Sequence, residues 1–212
     1  MSRFMFGLFG KKPSPNLRPR IRHFDQLGPQ AEDAMVHMIE TNALPHGHKG
    51  LWAAPFLADL VFLLEDQDGF VSCEGLEASG QNGALALQAA LERFAEAAYQ
   101  TRMAPAEDNP AIFTLEVESD PYLTPLLLTM PQLFSKAAKG GALLITHPIE
   151  TRIFACPAQL DGAEAMMLET LNREVGSAIR QSDYVFRLEA GGRLAPYLFV
   201  PAGGAAQRVE EV

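Results

Sequence analysis

Hydrophobic and polar positions repeat with two different periods along the chain, and these periods predict its secondary structure. Residues 111–118 alternate between apolar and polar side chains, and the apolar positions are Phe113, Leu115 and Val117. Alternation of this kind is typical of a strand with one solvent-facing side. Two other segments repeat every three or four residues, which predicts one helix over about 83–101 and another over about 161–181.

Pairs of short apolar runs that flank turn residues predict three β-hairpins. Their paired strands are 55–64 with 70–73, 142–147 with 151–156, and 184–189 with 194–200. The first turn is acidic and contains Gly69, the second contains Pro148, and the third contains Gly191 and Gly192. Each turn therefore holds residues that favour a reversal of the chain.

The remaining segments complete the predicted order of elements. A short helix is predicted over about 30–40, and residues 120–139 have helical spacing interrupted by Pro131, which predicts a kink or two short helices. The order is helix, two strands, helix, strand, broken helix, two strands, helix and two strands, without βαβ alternation. We therefore expect an α+β fold, with a mixed or antiparallel sheet built from hairpins and helices packed on it.

The first 22 residues differ in composition from the rest of the chain. They contain six basic residues, no acidic residue and three prolines, so they carry +6, whereas the remaining chain carries −15. Proline among basic and polar residues is typical of a linker. The predicted organisation is a basic flexible tail at 1–22 and a single α+β domain at 23–212, whose last residues, 203–212, are frayed.

Charge and hydropathy restrict the partners of this chain. A strongly acidic body repels nucleic acid, so nucleic-acid binding is excluded from the expected functions. No apolar run reaches the roughly 20 residues that span a bilayer, and the start of the chain does not have the layout of an export signal. We therefore expect a cytoplasmic protein. Apolar residues at 4–9 beside the basic charges predict weak contact of residues 1–22 with anionic membranes.

Two cysteines and two close histidines are the first candidates for chemistry. Cys73 and Cys156 both lie in apolar surroundings, so we interpret them as buried side chains rather than as a disulfide or as nucleophiles. His46 and His48 have the spacing of a chelating pair, but no third ligand stands at a recognisable distance in the sequence. They are interpreted as solvated loop residues, and no metal or cofactor is predicted.

Other motifs do not complete a known site. The segment 75–82 has the two glycines of a phosphate-binding loop, but Gln81 stands where the lysine belongs. The acids Glu65, Asp66 and Asp68 resemble part of a calcium loop without its remaining ligands, so they are interpreted as turn residues. The sequence therefore predicts no catalytic residues.

From about residue 52 to 202 the chain resembles the YtpQ-type family of bacterial proteins in the order and spacing of its elements. The resemblance includes the segments GGALLITHPIETRIFACPA (140–158) and SDYVFRLEAGGRLAP (182–196). Ser182, Phe186 and Gly191 match the S-x-x-x-F-x-x-x-x-G ending that the family shows. The resemblance implies a compact cytoplasmic domain, and it transfers no catalytic residue to this chain.

Two functions remain open. The favoured one is a non-catalytic protein-interaction or scaffolding module that binds a protein partner or a second copy, because no set of catalytic residues is clustered in the sequence. The alternative is a small-molecule-binding protein or an enzyme whose site includes His147, Glu150 and Arg152, which follow one another at a predicted turn. These functions differ in whether the three side chains converge in a pocket.

Overall fold

The computed structural model of this chain describes residues 16–27, 50–134, 138, 140–175, 180–201 and 204–209. The strands are β1 (Arg18–His23), β2 (Ala53–Leu57), β3 (Leu60–Asp66), β4 (Gly69–Phe70), β5 (Thr101–Pro105), β6 (Phe113–Val117), β7 (Leu143–Ile149), β8 (Arg152–Pro157), β9 (Tyr184–Leu188), β10 (Leu194–Phe199) and β11 (Gln207–Arg208). The α-helices are α1 (Cys73–Ala78), α2 (Gly83–Ala97) and α3 (Ala163–Val175). The 3₁₀ helices are Phe24–Leu27, Ala98–Gln100, Pro121–Thr129 and Pro131–Phe134. None of the helices described is long and apolar enough to cross a membrane.

Two antiparallel sheets form the framework. The first sheet has the order β1-β3-β2, and β4 also pairs with β3. The second sheet has seven strands in the order β11-β10-β9-β7-β8-β6-β5. The predicted α+β fold with antiparallel strands and packed helices is therefore confirmed.

The main core lies between the two sheets. Ile21, Leu60 and Phe62 of the first sheet share it with Ile145 and Phe186 of the second, and the fully buried leucines of the 3₁₀ helix Pro121–Thr129 complete it. Helix α3 covers the opposite face of the second sheet, and α1 and α2 pack on the first sheet. Strand β3 is buried on both faces, which explains its continuous apolar sequence.

The apolar run 55–64 is not the single strand that its sequence predicts. The chain reverses at Ala58 and Asp59, where Ala58 has a φ of 52°, and β2 pairs with β3 across this turn. Because apolar residues flank the turn on both sides, their pattern does not mark the reversal. The next predicted turn is confirmed, since β3 pairs with β4.

The predicted boundary of the basic tail at residue 22 is wrong. Residues 18–23 form β1, which pairs with β3 along its whole length, and Ile21 is fully buried. Arg20 and Arg22 are compatible with a packed strand because each forms an ion pair with an acidic residue, Glu65 and Glu150 respectively. Residues 1–15 lie outside the described part of the chain.

Two further strands were not expected from the sequence. The helix predicted to continue to residue 101 ends earlier, and β5 follows at once and pairs with β6. The predicted frayed end is partly ordered, because β11 pairs with β10. Short strands such as β5 and β11 owe their conformation to the strand that they pair with, so their own sequences carry little pattern that predicts a strand.

Helices α2 and α3 were predicted, whereas α1 was not: it begins at Cys73, which the sequence pattern placed in the strand 70–73. Helix α2 begins after Asn82, whose side chain accepts a hydrogen bond from the Leu85 N–H at 3.1 Å. The segment that contains Pro131 forms two 3₁₀ helices that are interrupted at Met130. Helix α3 buries Leu171 completely. The helix predicted over 30–40 and the last residues of the one predicted over 161–181 lie outside the described residues.

Candidate functional site

The three side chains of the predicted site point to different places. His147, in β7, is fully buried, and its Nδ1 lies 3.1 Å from the backbone oxygen of Arg152. Because a carbonyl can only accept, the Nδ1–H donates a hydrogen bond to it. Glu150 forms an ion pair with Arg22 of β1. The Arg152 side chain is exposed and lines a separate cleft on the other face of the second sheet. The structure therefore does not bring the three side chains into one pocket.

His147 is poorly suited to act as a base. Burial lowers its pKa to about 4, and the positive charge of Arg22 acts in the same direction. Its Nε2 makes no hydrogen bond within the described part of the chain and is shielded from solvent. A group of this kind stays neutral near pH 7 and cannot reach a substrate from outside.

A polar cluster that sequence reasoning missed lies where the two sheets meet. This junction cluster consists of His23 at the end of β1, Asp59 in the β2–β3 turn, and Arg180, Ser182 and Asp183 before β9. Asp59 accepts hydrogen bonds from the Ser182 hydroxyl at 2.8 Å and from the Asp183 backbone N–H at 2.6 Å. Arg180 donates to Asp183 at 2.9 Å. The cluster thus connects residues more than 120 positions apart in the chain.

His23 contributes the remaining contacts of the junction cluster. Its Nε2 lies 3.3 Å from the Asp59 carboxylate and 3.8 Å from that of Asp183. Its Nδ1 accepts a hydrogen bond from the Asp25 backbone N–H at 3.1 Å. The hydrogen bond to Asp59 raises the pKa of His23, burial opposes this change, and the nearby carboxylates add to it.

The residues of the junction cluster do not suit a metal ion, although His23, Asp59 and Asp183 lie close enough together to be considered as ligands. Because Nδ1 of His23 accepts a backbone N–H, the ring proton of the neutral histidine is on Nε2. A protonated Nε2 has no lone pair for a metal, and it instead donates to Asp59. The arrangement is that of a structural hydrogen-bond network.

The same geometry does not form a nucleophilic triad. The Ser182 hydroxyl donates to Asp59 rather than to a histidine, and Ser182 is fully buried. In a triad the histidine lies between the hydroxyl and the carboxylate and removes the hydroxyl proton. Here the carboxylate lies in the middle, so the serine is held in place and not activated. The sequence offered one weak indication of this cluster, an acidic residue in the middle of an apolar run.

An arginine-containing cleft is the second polar feature. Its volume is about 250 Å³, and it lies on the face of β5, β6 and β8 near the end of α3. Its charged lining residues are Arg102, Arg152, Arg173, Glu107, Asp108 and Glu116. Arg173 lies 3.4 Å from Asp108. Three basic and three acidic side chains leave this cleft without a net charge that would select an anion or a cation.

The cysteines and the acidic turn match their predicted interpretations. Cys73 and Cys156 are buried and unpaired, and burial raises the pKa of both thiols, that of Cys156 to about 11. In the acidic turn, Asp66 accepts a hydrogen bond from the Asp68 N–H at 2.8 Å. Glu65 forms an ion pair with Arg20 of β1. These acids therefore stabilise the turn and the pairing of β1, as expected of structural residues. His46 and His48 lie outside the described residues.

Strand β5 is an edge strand among the described residues. It is the last strand of the second sheet and pairs with β6 on one side, and within the described ranges no strand pairs with its other side. The Ala106 N–H donates to the Ile112 carbonyl, and the Glu118 N–H donates to the Gln100 carbonyl. These bonds and the unbroken register mean that even-numbered residues of β5 direct their backbone groups towards β6. The carbonyl groups of Thr101, Met103 and Pro105 and the N–H of Met103 therefore face outwards, whereas the Thr101 N–H closes the 3₁₀ turn of Ala98–Gln100.

No family model, curated protein or solved structure matches this chain.

Proposed function

We propose that this chain is a non-catalytic protein-interaction module whose contact element is β5. The observation that carries this proposal is the edge of β5 that no described strand pairs with, where the Met103 N–H and three carbonyl groups face outwards. An extended segment of another chain can pair with such an edge through backbone hydrogen bonds. Met103 adds an exposed apolar side chain beside these groups, with 37% of its surface accessible.

The state of the titratable groups supports a binding role over a catalytic one. The buried histidine has a pKa of about 4, the buried thiols have raised pKa values, and the hydroxyl of Ser182 is committed to Asp59. Catalytic groups, in contrast, are tuned to titrate near the working pH and to face a cavity. An enzyme with a site near His147, Glu150 and Arg152 is thus the less favoured function.

The edge has features that limit it to a short contact. Pro105 lies at an outward position, so it offers no N–H there, and Arg102 places a charge on the strand. Prolines and charges on edge strands prevent uncontrolled aggregation in natural sheets. We infer that the strand accepts a partner of limited length and does not recruit an open series of copies.

The wider setting of the module also belongs to this proposal. We place it in the cytoplasm, in line with its unpaired cysteines and with the resemblance to the YtpQ-type family. Contact of the N-terminal residues with anionic membranes remains a prediction for residues 1–15, because Arg20 and Arg22 are occupied by ion pairs. Sedimentation with anionic vesicles, with and without these residues, tests it.

The decisive experiment compares two substitutions at one position. Met103→Pro removes the outward N–H and leaves the bonds to β6 intact, whereas Met103→Thr changes the side chain and keeps the N–H. Both variants and the unchanged chain are used as baits for affinity purification from the native cell, together with a second, differently tagged copy. We expect proteins that are recovered with the unchanged chain and with Met103→Thr but are lost with Met103→Pro.

The proposal is contradicted if Met103→Pro, with an unchanged circular dichroism spectrum, recovers every protein that the unchanged chain recovers. Binding that is lost equally with both variants would show that the Met103 side chain, and not the strand edge, makes the contact.

A further inference from the structure

We propose that the occupant of the β5 edge is the β5 strand of a second copy, paired antiparallel about a two-fold axis at Met103. This inference rests on the proposed function and names the partner at the same edge. Its basis is that a two-fold rotation places the outward N–H and carbonyl groups of Met103 in one copy opposite the carbonyl and N–H groups of Met103 in the other.

The hydrogen-bonding groups are self-complementary in this register. The two Met103 residues face each other and exchange both N–H to carbonyl bonds. Thr101 of each copy then faces Pro105 of the other. Proline lacks an N–H, so it gives the Thr101 carbonyl no donor, and the Thr101 N–H closes the 3₁₀ turn of Ala98–Gln100. The two reciprocal Met103 bonds are therefore the backbone bonds of this register.

The side chains of the strand are compatible with the same register. On one face Met103 meets Met103, which covers an exposed apolar side chain of the strand. On the other face Arg102 lies opposite Ala104, so no two like charges face each other directly. Arg102 also has the acidic Glu116 opposite it within its own sheet. Strand β5 carries one basic residue and no acidic residue, whereas the whole chain has a net charge of −9.

Other registers are less favourable for two copies. A shift by two residues would place Thr101 opposite Met103 and leave Pro105 beyond the end of the facing strand. A shift by one residue would direct the inward groups of one strand, which are already bonded to β6, against the outward groups of the other. A two-fold axis at Arg102 gives as many backbone bonds, but it places the two Arg102 side chains directly opposite each other, which the axis at Met103 avoids.

The size of the contact sets the expected affinity. A junction between two five-residue strands buries less than the about 1,000 Å² of total surface expected of a stable interface. We therefore expect a monomer–dimer equilibrium that depends on concentration, and one continuous antiparallel sheet in the dimer. Analytical ultracentrifugation should show this equilibrium for the unchanged chain and for Met103→Thr, and a monomer for Met103→Pro.

Cross-linking tests the register itself. In the proposed dimer the Cα atoms of the two Met103 residues lie about 5.5 Å apart, within the range that a disulfide bridges. Met103→Cys should therefore form a disulfide-linked dimer under mild oxidation. The native Cys73 and Cys156 are buried, so the unchanged chain provides a blank.

Thr101→Cys is the matched control. It lies on the same face and edge, but in this register the two copies of residue 101 are separated by four residue positions, about 14 Å along the strand. We expect Met103→Cys to cross-link at least about ten times faster than Thr101→Cys, since only the former pair is within disulfide range. Equal rates for both variants would overturn the register.

A monomer at every concentration, together with slow cross-linking of Met103→Cys, would overturn the second copy as the occupant. Recovery of another protein in a β5-dependent manner would then leave the proposed function standing with a different partner. The proposed function itself fails if Met103→Pro retains all binding or if both Met103 variants lose it equally, so the failures of the two proposals are distinguishable.

Discussion

Replacing the buried His147 with asparagine should remove much of the acid sensitivity of this fold. The asparagine side-chain N–H₂ occupies the place of Nδ1–H and can still donate to the Arg152 carbonyl. Asparagine does not titrate, whereas the histidine has a pKa of about 4 in the folded chain against 6.5 for the ordinary side chain. The substitution therefore isolates the contribution of one buried imidazole.

The sign and size of the effect follow from proton linkage. Between pH 6.5 and pH 4 the unfolded histidine binds a proton and the folded one does not, so acid favours the unfolded state. At about 1.4 kcal/mol per pH unit, the unchanged chain should lose about 2 kcal/mol of unfolding free energy between pH 7 and pH 5 through this residue. The unfolding free energy of the His147→Asn variant should therefore fall by about 2 kcal/mol less than that of the unchanged chain over this pH range. Its stability at pH 7 should be lower, because the asparagine side chain is smaller.

Urea denaturation at pH 7 and pH 5 measures this difference, with Trp52 fluorescence as the probe. His23→Gln is the control, because its pKa is raised and its contribution to stability has the opposite pH dependence: it is present below pH 6.5 and lost as the pH rises through the folded value. That variant should show an acid-induced loss at least as large as that of the unchanged chain, because it lacks this offsetting contribution. Equal pH dependence in the His147→Asn variant and the unchanged chain would refute the reasoning, because it would show that the pKa of His147 is the same in the folded and unfolded chain.

Three further substitutions or reactions test the packing. Gly83→Ala should destabilise the chain by on the order of 1–3 kcal/mol and change the Trp52 emission, because a Cβ at this position would lie 2.0 Å from the Trp52 Nε1; an unchanged spectrum would contradict this close approach. Leu171→Ala should cost about 2–5 kcal/mol in chemical denaturation, since Leu171 is fully buried under the second sheet, and a loss below about 1 kcal/mol would mean that this face is exposed. Cys156 should resist a thiol reagent in the native chain and react in urea, because it is fully buried and its pKa is about 11; a fast native reaction would show that the site opens.

Local patterns were sufficient for elements whose own side chains select their conformation. The alternation around Leu115 predicted β6, the period of three to four residues predicted α2, and Pro131 predicted an interruption. In each case the information lies within one element, since one face must be apolar and proline cannot donate a helical hydrogen bond. Cys156 was likewise predicted to be buried from its apolar neighbours alone.

Elements that depend on distant partners were missed or misjudged. The basic residues before His23 resembled a linker, yet they form β1 because acids from β3 and from the β7–β8 turn neutralise Arg20 and Arg22. Strand β5 has no marked alternation, and it is a strand because β6 offers it a ladder of hydrogen bonds. Such contacts join segments far apart in sequence, where no local pattern can record them.

The candidate sites divide in the same way. His147, Glu150 and Arg152 are close in sequence, but the fold buries His147, pairs Glu150 with Arg22 and directs Arg152 into a separate cleft. The junction cluster joins Asp59 to Ser182, two residues that meet only because the two sheets pack against each other. The free edge of β5 is likewise a property of strand order. The sequence by itself determined which segments have an apolar face to bury, and only the tertiary structure decided which backbone groups and polar side chains were left to pair with something else, because the order of strands in a sheet depends on the whole chain.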